Sequence, residues 1–490
     1  MKNKIIFFSI FILFILKLSA QNSFPLKESY LFKDLKFQLE IENLTSTKDA
    51  ISPVNKKSFL IPAWEVTAFI FLLNQYDRVA YSKREIDGKK IYNTNFSTFW
   101  EQLTKGKWST DNDSFEVNQF GHPYQGSVYF GFARSAGLNY YQSFLYSTIG
   151  SYIWETGGET THPSLNDQIA SGIGGSFIGE ALFRMANLFL EHSDGKPKIF
   201  KELCAAAISP SLGFNRIAYK DRFKTIFPSN DPAMFYSLSL GIGWNAPLKD
   251  SITTNPFKTY EGTAIFTLSY GLPGKKDYTY KRPFDYFHFE YAALSNKKNP
   301  IDNVMIHGLL VGNKYESKNW LNGIWGLYGG YDYISPHIFR VSSTSLSFGT
   351  TFQLRLNSTF SIQGSGLIGL GFVAAGSQIK VQDRDYEYGL SPQGLIRLRL
   401  VCGKIAMVDF TGRSFYLKNK NNNMFEKKFD RHYINFKITF LVHKRHSIGF
   451  GYTAFTKDGR NPYNEKLEKK TKTISIFYSL LGNSKFGIVK

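Results

Sequence analysis

Cysteine is scarce in this chain, and the average hydropathy is mildly negative. The two cysteines among 490 residues, Cys204 and Cys402, are too few for a disulfide scaffold. They lie in segments that we predict to belong to different parts of the fold, so we expect two unpaired, buried thiols. The low hydropathy excludes a helical transporter, because a bundle of membrane-spanning helices is far more apolar than this.

The N-terminal residues have the organisation of a secretory signal peptide. Lys2 and Lys4 form a basic start, residues 5–18 are mostly apolar, and residues 19–21 supply the small side chains that a signal peptidase needs. A membrane anchor is less favoured, because an apolar stretch of about fourteen residues is shorter than the roughly 20 that span a bilayer. We therefore predict a signal peptide over residues 1–20, followed by an N-terminal extension over residues 21–59.

Positive charge dominates the composition. The formal net charge is +20, and removal of the three lysines in residues 1–20 leaves +17. An exported protein rarely meets nucleic acid, so we expect no nucleic-acid partner. The predicted partners are outer-membrane lipid or lipopolysaccharide, whose phosphates are anionic, or a small anionic ligand. A bias of the loops toward lysine explains the charge equally well.

Aromatic residues are abundant, at 17% of the chain, while charged residues still make up 20%. From Ala233 onward the sequence alternates with a period of two, as in residues 234–245 and 434–440. Arg397 and Arg399 lie on the non-apolar face of such a run, which suits a watery lumen better than a dry core. The pattern predicts a transmembrane antiparallel β-barrel of about twelve strands in the outer membrane.

The first half of the chain predicts helices instead. Helical runs cover residues 63–76, about 123–154 and about 164–190, and small residues recur four apart, as at Gly175 and Gly179. We expect a helical domain over residues 60–200 and the barrel over residues 201–490. The helical insert should pack in or under the barrel, where its polar residues pair with each other or with the basic lumen.

The segment between Asn118 and Glu180 contains the densest cluster of candidate residues. It reads Asn118-xxx-His122-Pro123-xx-Gly126-xx-Tyr129-xxx-Ala133-Arg134, then Trp154-Glu155, Glu159, Pro163-Ser164-xx-Asp167 and Gly174-Gly175-xxx-Gly179-Glu180. From roughly Ala63 to Glu180 the chain resembles an uncharacterised envelope family, the domain of unknown function 3943. The resemblance implies an outer-membrane barrel and brings no established activity.

Several kinds of chemistry are compatible with this cluster. His122 with Glu155 and Asp167 could act as an acid–base catalyst, with Ser164 as nucleophile or, more simply, as a helix N-cap. The motif Glu159-x-x-His162 has the ligand spacing of a di-iron bundle, but such sites need the motif twice. We therefore predict no metal and no cofactor.

A purely structural network is the preferred interpretation of the cluster. In it, Arg134 forms a buried ion pair with Glu155 or Glu180, and Asn118 and Glu159 contribute to binding or to packing. The leading functional hypothesis is a barrel without enzymatic activity, whose helices plug or brace a basic lumen that binds or passes an anionic ligand or lipid. The alternatives are a membrane-embedded hydrolase or acyltransferase acting on envelope lipids, and a scaffold that recruits partners.

Overall fold

The computed structural model describes residues 57–489, except residues 87, 112, 192–196, 246–259, 296, 298, 319, 337, 378–385, 419–427 and 461–465. The predicted signal peptide and nearly all of the N-terminal extension lie outside these residues. Among the described residues, no helix combines the length and the hydropathy that crossing a membrane would require.

The N-terminal half is helical. Two short strands form a hairpin between the first two helices: β1 (Glu85–Ile86) and β2 (Lys89–Lys90). The helices are α1 (Leu60–Ala80), α2 (Phe96–Lys105), α3 (His122–Ser135), α4 (Tyr140–Gly157), α5 (Leu165–Ile169), α6 (Gly175–Glu191), α7 (Ile199–Ile208) and α8 (Pro210–Ala218). Two π-helical turns, Val117–Gly121 and Ala170–Gly174, lead into α3 and α6.

The helix boundaries differ from the sequence prediction in three places. The run predicted over residues 123–154 divides into α3 and α4, because Gly137 adopts a positive φ of 87° between them. Helix α2 lies in a segment outside the predicted helical runs; Asn95 caps it by accepting from the Thr98 N–H. Helix α8 and all but the first two residues of α7 lie in the range predicted to form the barrel, residues 201–490, so the helical part extends to Ala218.

The second half closes into a barrel of twelve antiparallel strands, in which each strand pairs with its neighbours in sequence and β14 pairs with β3. The strands are β3 (Met234–Asn245), β4 (Tyr260–Tyr270), β5 (Phe287–Leu294), β6 (Ile301–Ser317), β7 (Leu321–Ile334), β8 (Phe339–Arg355), β9 (Phe360–Ser377), β10 (Tyr386–Cys402), β11 (Ala406–Lys418), β12 (Lys428–His443), β13 (His446–Arg460) and β14 (Lys466–Leu481). The predicted fold class, a barrel of about twelve strands with an N-terminal helical insert, is confirmed.

Contacts between distant strands identify the face of each strand that lines the lumen. Asp332 on β7 accepts a hydrogen bond of 2.5 Å from Arg413 on β11, four strands away, and this contact can only cross the interior. Trp325 and Leu327 have the opposite parity on β7 and are exposed. The same outward parity exposes large apolar residues around the barrel, among them Ile242, Trp244, Phe348, Ile368, Leu370, Leu390, Ile396, Phe436, Phe450 and Ile474. An apolar exterior of this kind is what contact with lipid requires.

The lumen is filled in layers. Apolar side chains occupy one end, including Phe339, Val341, Val373, Phe415, Leu417, Tyr433 and Phe455. A second apolar cluster occupies the other end, where the segment after β14 folds back and the carbonyl of Gly487 accepts a hydrogen bond of 2.6 Å from luminal Gln363. Charged residues lie between the two clusters, and Arg397 and Arg399 are among them as predicted. Side chains of the barrel itself therefore occupy much of the described lumen.

The helices pack against the outer face of the barrel. Tyr331 and Tyr333 share the outward parity of Trp325, yet both are buried, because the helical half covers them. The backbone of Gly174 lies so close to Thr344, on the outward face of β8, that an added Cβ would be 2.8 Å from the threonine hydroxyl. The expectation that the helices pack in or under the barrel is therefore corrected: they lie against its wall from outside, and side chains of the barrel itself occupy the lumen.

A buried ion network connects the helices to the barrel. Glu180 on α6 accepts hydrogen bonds from Arg134 (2.6 Å) and from Arg184 (2.8 Å), and it is completely buried. Arg184 also donates to Asp285, just before β5, at 3.0 Å. Phe227 packs against the guanidinium groups of both arginines. The pairing of Arg134 with Glu180 was one of the two predicted from the sequence.

Replacing Glu180 should destabilise the helical half strongly. Glu180→Gln leaves two buried guanidinium groups without their shared carboxylate, and breaking a buried pair in this way costs about 3–5 kcal/mol. We expect a correspondingly lower free energy of unfolding, measured by denaturant titration of tryptophan fluorescence in detergent. Glu101→Gln, at an exposed position on α2, is the matched control and should change little. Equal stabilities of the two variants would contradict the role given to this network.

Candidate functional site

Three of the predicted residues converge at one buried site. His122 begins α3, Glu155 lies in the last turn of α4, and Asp167 lies in α5. One nitrogen or carboxylate oxygen from each lies within 4.8 Å of the others. The Nε2 atom of His122 is 3.8 Å from Oδ2 of Asp167. We call these three residues the central cluster.

Close backbone contacts bring the central cluster together. A Cβ on Gly126 of α3 would lie 1.9 Å from the carbonyl oxygen of Ser171, so only glycine allows this approach. The hydroxyl of Ser147 on α4 lies 2.9 Å from the carbonyl oxygens of both residues. Because both π-helical turns adjoin this crossing, His122 and Asp167 are directed to the same place. Single π-helical turns of this kind are frequent at functional sites.

Ser164 holds two members of the cluster in position. Its backbone N–H donates to Oε2 of Glu155 at 2.8 Å, and its hydroxyl accepts from the N–H of Asp167 at 3.3 Å. The latter contact is the predicted N-cap of α5. A hydroxyl engaged in this way does not favour the alternative role of Ser164 as a nucleophile.

A polar layer connects the central cluster to the outside of the barrel. Asn166 donates to Asp167 at 2.8 Å and to Asp111 at 3.0 Å. Asn118, one of the predicted residues, donates to Asp111 and to the hydroxyl of Tyr386 at 2.9 Å. Tyr386 has the outward parity of Leu390 on β10, which is 74% exposed. The site therefore lies where the helical half meets the barrel wall.

Carboxyl groups outnumber cations at this site. Asp111 and Glu159 interact electrostatically with both Glu155 and Asp167, and Asp113 interacts with Glu155. Arg84 forms an ion pair with Asp113. Glu159 accepts a hydrogen bond of 3.1 Å from Thr161, and Arg84 also acts on its charge. Within the described residues, five carboxyl groups thus share one arginine.

Burial and mutual repulsion favour the protonated forms of these acids. Burial, followed by the neighbouring carboxylates, raises the pKa of Glu155 and of Asp167 well above their ordinary values. The same causes raise the pKa of Glu159 to about 8 and also raise that of Asp111. A site with these properties takes up protons or a cation, and perturbed acids of this kind are common in active sites.

The remaining predicted residues lie elsewhere or have other partners. Arg134 and Glu180 belong to the ion network described above and not to the central cluster. His162 is exposed, whereas Glu159 is half-buried and accepts a hydrogen bond from Thr161, and among the described residues neither belongs to a cluster of possible metal ligands. Cys204 and Cys402 are unpaired as predicted, but they are half-buried, not buried.

Sequence reasoning missed several members of the site. Asp111 precedes the segment from Asn118 to Glu180 in which we predict the site, and Asn166 is one of the two unspecified positions in Ser164-xx-Asp167. Tyr386 and Tyr388 lie on a strand whose outward tyrosines have the pattern of lipid-facing residues. Of these residues, only Asn166 could have been selected from the sequence, because it is adjacent to Asp167.

Comparison with known proteins agrees with the family resemblance. The model of the domain of unknown function 3943 matches residues 107–211, which confirms the resemblance predicted from the sequence. No curated protein matches the chain. Among solved structures, the NanC porin is 7% identical, with coverage of 49% of this chain and 98% of its own and a TM-score of 0.27.

Two further solved structures have similar values. The outer-membrane channel DcaP of Acinetobacter baumannii is 6% identical, with coverage of 50% of this chain and 96% of its own and a TM-score of 0.24. The translocator domain of the autotransporter NalP from Neisseria meningitidis is 9% identical, with coverage of 51% of this chain and 89% of its own and a TM-score of 0.23. Likeness at this level carries no argument about activity.

The raised pKa of Glu159 predicts a pH-dependent stability. A carboxyl group whose pKa rises from 4.5 to about 8 on folding stabilises the fold below pH 4.5, and this contribution is lost as the pH rises through about 8. In protein treated with a chelator, the free energy of unfolding should fall over this range. Glu159→Gln should flatten the fall, and the exposed control Glu101→Gln should not. Parallel profiles for the wild type and Glu159→Gln would show that Glu159 is not the titrating group.

Proposed function

We propose that this protein is an outer-membrane enzyme that hydrolyses an ester bond of an envelope lipid at the central cluster. The observation that carries the proposal is the convergence of His122, Glu155 and Asp167 in one buried site at the barrel wall. These residues come from three separate helices, and Arg134 does not neutralise them. A histidine beside acids with raised pKa values is the usual equipment of general acid–base catalysis.

The surroundings of the site support a lipid substrate. One face of α4 exposes Tyr141, Leu145 and Ile149, at intervals of four residues, and α1 exposes Trp64, Phe71 and Leu72. These helices pack on the part of the helical half that lies against the barrel wall, and we infer that their exposed side chains continue its lipid-facing surface. A lipid can then approach the helical half sideways, without entering the lumen.

In the proposed reaction, the acyl or phosphoryl group of the lipid ester is transferred to water. The oxygen of a water molecule forms a bond to the acyl carbon or the phosphorus of the ester, and the bond to the leaving oxygen breaks. The neutral imidazole of His122 or an ionised carboxylate of the site takes the proton from the water, and a protonated carboxyl group of the site gives its proton to the leaving oxygen. If a second lipid hydroxyl replaces the water, the same steps make the protein an acyltransferase.

Lipid profiles of the outer membrane test this proposal. We expect a deletion strain and a strain with His122→Ala at normal abundance to share one altered lipid or lipopolysaccharide species by mass spectrometry. The altered mass identifies the bond that the wild type cleaves. His162→Ala, which changes an exposed histidine of the same helical half, is the control and should match the wild type. Unchanged profiles in both the deletion and His122→Ala would overturn the proposal.

The charged residues in the middle of the lumen support a second candidate function. Arg413 and Arg399 are paired there with Asp332 and Asp409. Arg397 lies 3.5 Å from His307, and Glu290 and Asp332 interact with its charge without forming an ion pair with it among the described residues. We infer that a small anion could bind to this guanidinium group, while the helices brace the barrel from outside. In that case the protein is a binding protein and not an enzyme.

Titration with inorganic phosphate tests the second candidate. The purified protein should bind phosphate, and Arg397→Gln should weaken binding about tenfold or more, since a charge-assisted hydrogen bond contributes about 1.5–3 kcal/mol. Lys470→Gln, at an exposed position on β14, is the control for net charge and should bind like the wild type. Equal binding by Arg397→Gln and the wild type would exclude a luminal anion site at this residue.

A further inference from the structure

We propose that His122, Glu155 and Asp167 bind a divalent transition-metal ion. One imidazole and two carboxylates form a ligand set that such ions use in proteins. The three candidate ligand atoms lie within 4.8 Å of one another. Ligands of one ion with bonds of about 2.1 Å lie roughly 3–4 Å apart, so side-chain movements of about 1 Å complete the site.

A buried carboxylate oxygen provides an independent indication that a cation binds at this site. Glu155 is 4% exposed, and its Oε2 atom accepts the N–H of Ser164 at 2.8 Å. Its Oε1 atom is buried and has no hydrogen-bond partner within the described part of the chain. Buried polar atoms are nearly always partnered, and a cation in the central cluster would satisfy this oxygen.

Charge at the site leads to the same conclusion. The five carboxyl groups described above are accompanied by a single arginine, and Arg84 contacts Asp113, outside the central cluster. A divalent cation offsets two of these negative charges directly. The ion would bind where the carboxylates of Glu155 and Asp167 face the imidazole of His122.

The neighbours of the ligands have the features of an outer coordination shell. Asn166 donates to Oδ1 of Asp167, which leaves Oδ2, the oxygen nearer His122, available to an ion. Ser164 orients Glu155 and caps the helix that carries Asp167. Outer-shell hydrogen bonds of this kind fix the ligand orientation and strengthen metal binding.

The donor types identify the class of ion. A nitrogen donor combined with two carboxylates suits Zn²⁺, Mn²⁺ or Fe²⁺, whereas Ca²⁺ and Mg²⁺ prefer oxygen ligands throughout. A bound ion would lower the pKa of a coordinated water and so supply the nucleophile of the proposed hydrolysis. This consequence rests on the proposed function, but metal binding itself does not. Asp111 and Glu159, outside the ligand set, would then carry the proton.

Metal titration of the purified full-length protein tests the inference. The protein is stripped with a chelator in detergent and titrated with Zn²⁺ by calorimetry, and with Co²⁺ by its visible absorption. We expect one equivalent to bind, and His122→Ala, Glu155→Gln and Asp167→Asn each to bind about 10–100-fold more weakly or not at all. The exposed variants His162→Ala and Glu101→Gln should bind like the wild type.

Folding of each variant is checked by the mobility shift that intact barrels show on unheated gels. If His122→Ala fails this check, Glu155→Gln still tests the site, because glutamine has the same shape as glutamate. The absence of saturable binding to the wild type, or full binding by all three variants, would overturn the metal site. Binding without any lipid change in the deletion strain would retain the metal site and reject the hydrolase. Lipid hydrolysis by the metal-stripped protein would retain the hydrolase and reject the catalytic role of the metal.

Discussion

The burial of Glu180 between two arginines is the constraint on which the rest of this structure depends. A completely buried carboxylate is stable only with its charge compensated, and both Arg134 and Arg184 are needed for the geometry observed. Because Arg184 also contacts Asp285 at the edge of the barrel, α6 cannot leave the wall without exposing a set of uncompensated charges. The position of α6 fixes that of the π-helical turn before it, and this turn lies beside α3 and α5. The geometry of the central cluster therefore depends on an ion network that takes no part in its chemistry.

Because the helices lie outside the barrel, the role of the lumen and the role of the helical half are separate questions, whereas the sequence prediction placed both in the lumen. The lumen is occupied by its own side chains and by the segment after β14, and two of its cations, Arg399 and Arg413, have carboxylate partners. The wall, in contrast, brings buried acids and a histidine next to a surface that faces lipid. If the protein acts on a lipid, it does so at the interface between helices and barrel, and the barrel serves as the platform that holds this interface in the membrane.

The alternation of apolar and polar residues after Ala233 was sufficient to predict the barrel, its strand number and the luminal position of Arg397 and Arg399. The density of polar residues in helical segments was sufficient to select His122, Glu155 and Asp167. Neither pattern could show on which side of the wall the helices lie. Alternation assigns Tyr331 and Tyr386 to the outward face, but a tyrosine that faces lipid and one that faces a helix look the same in a sequence. The close approach at Gly126 and Ser171, which brings the cluster together, depends on tertiary packing between helices and has no local signature beyond small residues.

Cross-linking across the wall tests the central claim most directly. With Cys204 and Cys402 replaced by serine, Gly174→Cys and Thr344→Cys place two sulfurs at bonding distance, because a Cβ at Gly174 lies 2.8 Å from the Thr344 hydroxyl and disulfides need Cβ atoms about 3.5–4.5 Å apart. The comparison pair, Gly174→Cys with Ser345→Cys, uses the luminal neighbour on the same strand. Our account predicts a disulfide in intact outer membranes for the first pair and none for the second. A disulfide with Ser345→Cys, and none with Thr344→Cys, would place the helices in the lumen and contradict it.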